Sequence, residues 1–123
     1  MKLHLSKFSE QNVFFGYGED YVTVNQTRYT QNLIVLPNQL IENWSLQKTL
    51  GQLESSDFTC LLPHNPEIVL LGTGANLHFP DQSILKDLAN NGIGIEIMDT
   101  QATCRTYNIL VEEGRHVAAA ILI

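Results

Sequence analysis

The chain has 123 residues and a mass of 13.8 kDa, the size of one ordinary domain, which leaves no room for separate catalytic and regulatory modules. Burial of roughly two-thirds of its unfolded surface lets such a chain fold without disulfide or metal staples. Seven basic residues against 13 acidic ones give a net charge of −6, which argues against phosphate-backbone binding and so against nucleic acid as a partner.

At the amino end, residues 1–7 carry neither an apolar signal core nor an arginine-rich presequence, which predicts a cytoplasmic protein. Val13-Phe14-Phe15-Gly16-Tyr17 and Tyr21-Val22-Thr23-Val24 are aromatic and β-branched, and Gly18-Glu19-Asp20 between them reads as a hairpin connection. Asn25-Gln26-Thr27 offers a polar turn before Asn32-Leu33-Ile34-Val35-Leu36, a buried strand running into Pro37. Residues 39–57 are polar, with a turn of helix expected over 45–53. Residues 58–62 read as a strand or an apolar loop.

After Pro66 the pattern changes. Glu67-Ile68-Val69-Leu70-Leu71 is a short hydrophobic strand that stops at Gly72-Thr73-Gly74. Pro80-Asp81 opens a helix with Ile84, Leu85, Leu88 and Ala89 on one face, and Asn91-Gly92 stops it. A strand over 93–98 leads to Asp99 and Thr100, both good N-caps for a helix reaching about Glu113, with Ala102, Thr106 or Tyr107, and Leu110 facing inward. Residues 117–123 form the last strand; this longest apolar run is far short of the roughly 18 residues that span a bilayer. The β-α-β-α-β order of 67–123 predicts an α/β layer within a single domain over 1–123.

The chemistry-bearing candidates cluster at the strand ends. Glycines after a strand, feeding a helix, allow close approach of a ligand and favour anions. A dinucleotide fingerprint fails in detail, because Leu77 stands where its third glycine belongs and the loop to Phe79 is too long. Arg105 lies within about two turns of its helix start and either presents its guanidinium to a carboxylate or phosphate or pairs internally with Asp99 or Glu96. Cys104 is weighed as a nucleophile, but no histidine stands at a spacing that makes it the base, so a buried inert thiol is the better reading. Cys60 and Cys104 lack CxxC spacing and are read as reduced. His4, His64, His78 and His116 show no metal-ligand spacing. Asp99 and Glu96 point to opposite faces and cannot share a proton. No catalytic constellation, metal or cofactor is expected.

The strand-glycine turn 67–74, the segment Gly92-Ile93-Gly94-Ile95-Glu96-Ile97-Met98-Asp99-Thr100 and the helix Cys104-Arg105-Thr106-Tyr107-Asn108-Ile109-Leu110 together resemble a specific family. It is the small domain-of-unknown-function family of MTH-type fold, which includes bacterial and archaeal single-domain proteins, the mitochondrial complex I assembly factor and the adipogenesis-associated protein. The resemblance implies a three-layer α/β fold: a central mixed sheet of about five strands with one strand antiparallel, crossover helices, and an N-terminal β-hairpin layer. It maps the family's motif positions onto Gly72, Thr73, Gly74, Asp99, Thr100, Arg105, Thr106, Tyr107 and Asn108, and implies no established enzymatic activity or cofactor.

Two functions follow as expectations. One is a non-catalytic binding or assembly-helper protein, with a protein partner or self-association covering its apolar end at Ile123. The other is a small anionic-ligand site between the Gly72-Thr73-Gly74 loop and Arg105, with Asp99, Thr100, Tyr107 and Asn108 as polar neighbours.

Overall fold

The computed structural model describes residues 11–123; the expectation on residues 1–7, and His4, lie outside them. Phe14–Tyr17 (β1), Val22–Val24 (β2) and Thr27–Tyr29 (β3) form an antiparallel three-stranded sheet. Leu33–Leu36 (β4), Gln39–Ile41 (β5), Ile68–Gly72 (β6), Gly94–Met98 (β7) and Val117–Ile121 (β8) form a five-stranded sheet in the order β5-β4-β8-β6-β7. β6 is parallel to both β7 and β8, β4 is antiparallel to β8, and β5 is antiparallel to β4. β4 alone therefore runs against the other four, as the mixed sheet expected from the sequence requires.

The run of apolar residues in β4, β6 and β8 reflects burial on both faces. Alternate residues divide between two cores. Ile34, Leu36, Val69, Leu71, Ala118 and Ala120 pack under Trp44, Phe58, Leu61 and Leu88 on one face. Leu33, Val35, Leu70, Val117, Ala119 and Ile121 meet Val22, Val24, Cys104, Tyr107 and Val111 on the other. The layers are thus a helical layer over 50–90, the central sheet, and a third layer that combines the small sheet with the long helix Thr100–Glu112 (α2). The short helix Lys86–Asn90 is α1.

Four local expectations are corrected. Residues 58–62 are neither strand nor loop but part of a 3-10 helix, Ser55–His64, whose three-residue period buries Phe58 and Leu61 together. The helix turn over 45–53 shrinks to Leu50–Gln52, because Asn43, Ser45 and Gln47 adopt positive φ. β3 starts at Thr27, read as the end of a polar turn, and β5 lies in the stretch read as polar; each is only three residues long. The buried face of α2 is Thr100, Thr103, Cys104, Tyr107 and Val111, not Ala102 and Leu110. Thr103 tolerates burial because its hydroxyl donates to the Asp99 carbonyl at 2.8 Å, which rotates the inward face by one residue.

Candidate functional site

β6 ends where α2 presses on it. A Cβ on Gly72 would stand 3.0 Å from Thr103 Oγ1 and 3.2 Å from Ile121 Cδ1, tight enough that these neighbours would have to shift by a few tenths of an ångström, so Gly72 provides the close approach of helix and sheet. Gly74 has φ of +94°, the left-handed region that glycine adopts without strain. Its N–H donates to Thr100 Oγ1 at 3.0 Å, and the Thr100 N–H donates back to the Gly74 carbonyl at 2.8 Å. Thr73 donates its N–H to the Met98 carbonyl at 3.0 Å and its hydroxyl to the Asn76 carbonyl at 2.7 Å. Asp99 is the N-cap, accepting from the Ala102 N–H at 2.8 Å and satisfying one of the free donors of the helix start. The glycine loop and the Asp99-Thr100 corner do meet, and they meet by bonding one another.

The second half of the motif holds the small sheet. Tyr107 is fully buried, donates its hydroxyl to the Asn12 carbonyl at 3.0 Å and packs edge-on against Phe14 with ring centroids 5.1 Å apart. Burial pushes its phenol well above the ordinary range. Asn108 takes both backbone groups of Phe14: its Oδ1 accepts from the Phe14 N–H at 2.9 Å and its Nδ2 donates to the Phe14 carbonyl at 2.8 Å. The side-chain amide stands in for a neighbouring strand on that edge of β1. Arg105 is exposed, with Nη1 3.5 Å from the Tyr17 hydroxyl, and it makes no ion pair with Asp99 or Glu96.

A cavity of about 170 Å³ lies beside the loop, lined by Glu19, Tyr21, Gly74, Thr100 and Gln101 among others. Arg105 is not among its lining residues, and the charged side chain present is the carboxylate of Glu19. The structure therefore brings Gly74 and Thr100 to one cavity. Tyr107 and Asn108 are engaged at β1, and Arg105 reaches Tyr17 at the end of the same strand. The Cys104 thiol is buried, and burial raises it to about 12, outweighing the pull of the Arg105 charge. A thiol so disfavoured as thiolate is a poor nucleophile. Among the described residues no group of His, Cys, Asp and Glu is placed to hold a metal ion.

Sequence reasoning missed a second surface. Phe79, Pro80, Leu85, Ala89, Ile95 and Ile97, together with Gln82 and Lys86, line a mainly apolar groove of about 440 Å³ along β7. Phe79 is 73% exposed and Leu77 48%. The signal was present in Leu77-His78-Phe79, two large apolar residues in a loop with no period that would bury them. Near the carboxyl end of the chain Asn32 is buried, donating to the Lys48 carbonyl and accepting from the Ile123 N–H. Leu122 joins the core while Ile123 is partly exposed.

The family model described as "Protein of unknown function (DUF498/DUF598)" matches residues 14–122. A Francisella tularensis protein named "13 kDa major membrane protein" is 30% identical over 122 residues, covering 99% of each chain. NADH dehydrogenase [ubiquinone] 1 alpha subcomplex assembly factor 3 of Xenopus tropicalis is 31% identical over 107 residues, 86% of this chain; the match spans 58% of that longer protein. The solution structure of a Bordetella pertussis protein, described as a Mth938-like domain, has 32% identity and a TM-score of 0.77, covering 90% of this chain and 85% of its own. No helix among the described residues is long and apolar enough to cross a membrane.

Proposed function

The chain belongs to the DUF498/DUF598 family of proteins of unknown function, and from that premise we propose that it is a non-catalytic, protein-binding helper in the assembly of other proteins. The observation that carries this reading is the similarity to assembly factor 3 along 86% of the chain. The bonding of the motif residues supports it: Asp99 caps α2, Thr100 ties to Gly74, and Tyr107 and Asn108 hold β1. The polar groups of Asp99, Thr100, Tyr107 and Asn108 are engaged in holding the fold, and Cys104 is a buried, protonated thiol. Phe79, exposed at the mainly apolar groove, and Leu77, exposed two positions before it in the chain, supply surface of the kind that protein partners cover.

The test is capture of a partner. Tagged wild-type chain, cross-linked in its own cells and purified, is expected to carry one protein in near-stoichiometric amount. Phe79→Asp, which alters an exposed side chain, is expected to lose that protein while melting at the same temperature. A wild-type chain that sediments as a strict monomer and retains no more protein than Phe79→Asp refutes the proposal.

A further inference from the structure

We propose that the free edge of β7 takes up an extended segment of a partner protein as a sixth strand, with apolar side chains in the Phe79 groove and a basic residue opposite Glu96. The inference rests on the protein-binding reading above and names the chemistry of the partner.

Among the described residues β7 is the last strand on its side of the sheet and pairs only with β6. The Gly94 N–H donates to the Glu67 carbonyl and the Met98 carbonyl accepts from the Thr73 N–H, both at 3.0 Å. Backbone groups alternate sides along a strand, so those of Gly94, Glu96 and Met98 face β6 and those of Ile95 and Ile97 face outward. These outward N–H and C=O groups form the template that an added strand pairs with. The side chains of the same two isoleucines line the groove with Phe79, Leu85 and Ala89, and Lys86 borders it on this face, where an apolar rather than a basic side chain fits. Backbone pairing and an apolar pocket for alternate side chains thus stand side by side.

Glu96 selects the occupant. It is exposed, lies between the two isoleucines on the opposite sheet face, and forms no ion pair among the described residues. α2 packs over β6 and β8, and on that face Gly94 and Glu96 of β7 are exposed among the described residues. A second copy of the chain, paired antiparallel so that Ile95 of one bonds Ile97 of the other, would set Glu96 opposite its own equivalent. Like charges directly opposite each other destabilise a strand pair, whereas a cation there stabilises it. The net charge of −6 acts in the same direction. The complementary segment alternates apolar, basic, apolar.

The probe is a fluorescein-labelled peptide of about nine residues alternating valine and lysine, with a counterpart carrying glutamate for lysine. Two further versions are N-methylated at every second amide, one in each frame. Anisotropy titrations at fixed salt compare the wild type, Glu96→Lys and Phe79→Asp. The wild type is expected to bind the lysine peptide and to lose it when one of the two frames is methylated. Glu96→Lys should weaken that peptide and favour the glutamate one, each by roughly fivefold or more, and Phe79→Asp should weaken both. Absence of binding, equal affinities for the two peptides, indifference to methylation in both frames, or a wild-type dimer joined along β7 overturns the inference. If a native partner is lost on Phe79→Asp while the peptides show no charge preference, the added strand is wrong and the protein-binding role stands.

Discussion

Removing the Asn108 amide should uncouple the small sheet from α2. Asn108→Ala deletes two hydrogen bonds, at 2.9 and 2.8 Å, to a Phe14 that is buried at 6% exposure. Each bond contributes on the order of 1 kcal/mol net, and leaving the Phe14 N–H and carbonyl partly unsatisfied adds a similar amount, for a loss of about 2–4 kcal/mol. For a chain of this length that is a fall in melting temperature of about 8–15 °C. Tyr107 still anchors Asn12 and packs on Phe14, so unfolding should remain one transition. Asn108→Asp separates the two bonds: a carboxylate accepts from the Phe14 N–H but opposes the Phe14 carbonyl. That opposition raises its folded-state pKa above the unfolded value. Its stability relative to wild type should then recover as pH falls from neutral towards about 4 and be lost again as pH rises. Thermal and urea unfolding followed by circular dichroism measure both effects. A loss below about 0.5 kcal/mol for Asn108→Ala, or an aspartate variant that weakens further in acid relative to wild type, refutes the role assigned to this side chain.

Gly72→Ala should cost about 1–3 kcal/mol, since its Cβ meets Thr103 and Ile121 at 3.0–3.3 Å; a stability unchanged in urea unfolding counts against close helix-sheet contact there. Burial of Asp57 opposes its charge, but hydrogen bonds from the Glu54 N–H, Lys48 and Ser45, with the Lys48 charge, outweigh it and hold its carboxyl below the ordinary range. Its contribution is therefore present above the unfolded carboxylate range and lost as pH falls through the folded value. Asp57→Asn should cost about 2 kcal/mol at neutral pH, with the gap from wild type closing in acid; a gap that widens in acid contradicts the assignment. In thiol titration of the native protein Cys60 should react and Cys104 should not, and Cys104 should become reactive only at the unfolding rate. Prompt modification of Cys104 in the Cys60→Ser variant would show that the thiol is not enclosed.

Much of the architecture is written locally. The apolar runs of β4, β6 and β8, the cap at Asp99 and the stop at Gly114, whose φ is +80°, each depend on residues within a few positions, so periodicity and turn chemistry reveal them. Gly72, Asp99 and Thr100 were likewise recognisable as the corner where strands give way to a helix. What local pattern does not contain is the identity of the distant partner. Asn108 meets Phe14 across 94 positions of chain and Tyr107 meets Asn12 across 95, so residues legible as polar neighbours of a ligand turn out to hold the small sheet. β3 and β5 are too short to carry a period and form only because β2 and β4 offer them an edge. Phe79 becomes part of a groove only when β7 and α1 arrive beside it. Local pattern reveals the longer strands, the long helix and their order; chain packing settles the shortest strands, which polar groups hold the fold together and which apolar ones face outward, because those outcomes depend on neighbours that only the folded chain brings into contact.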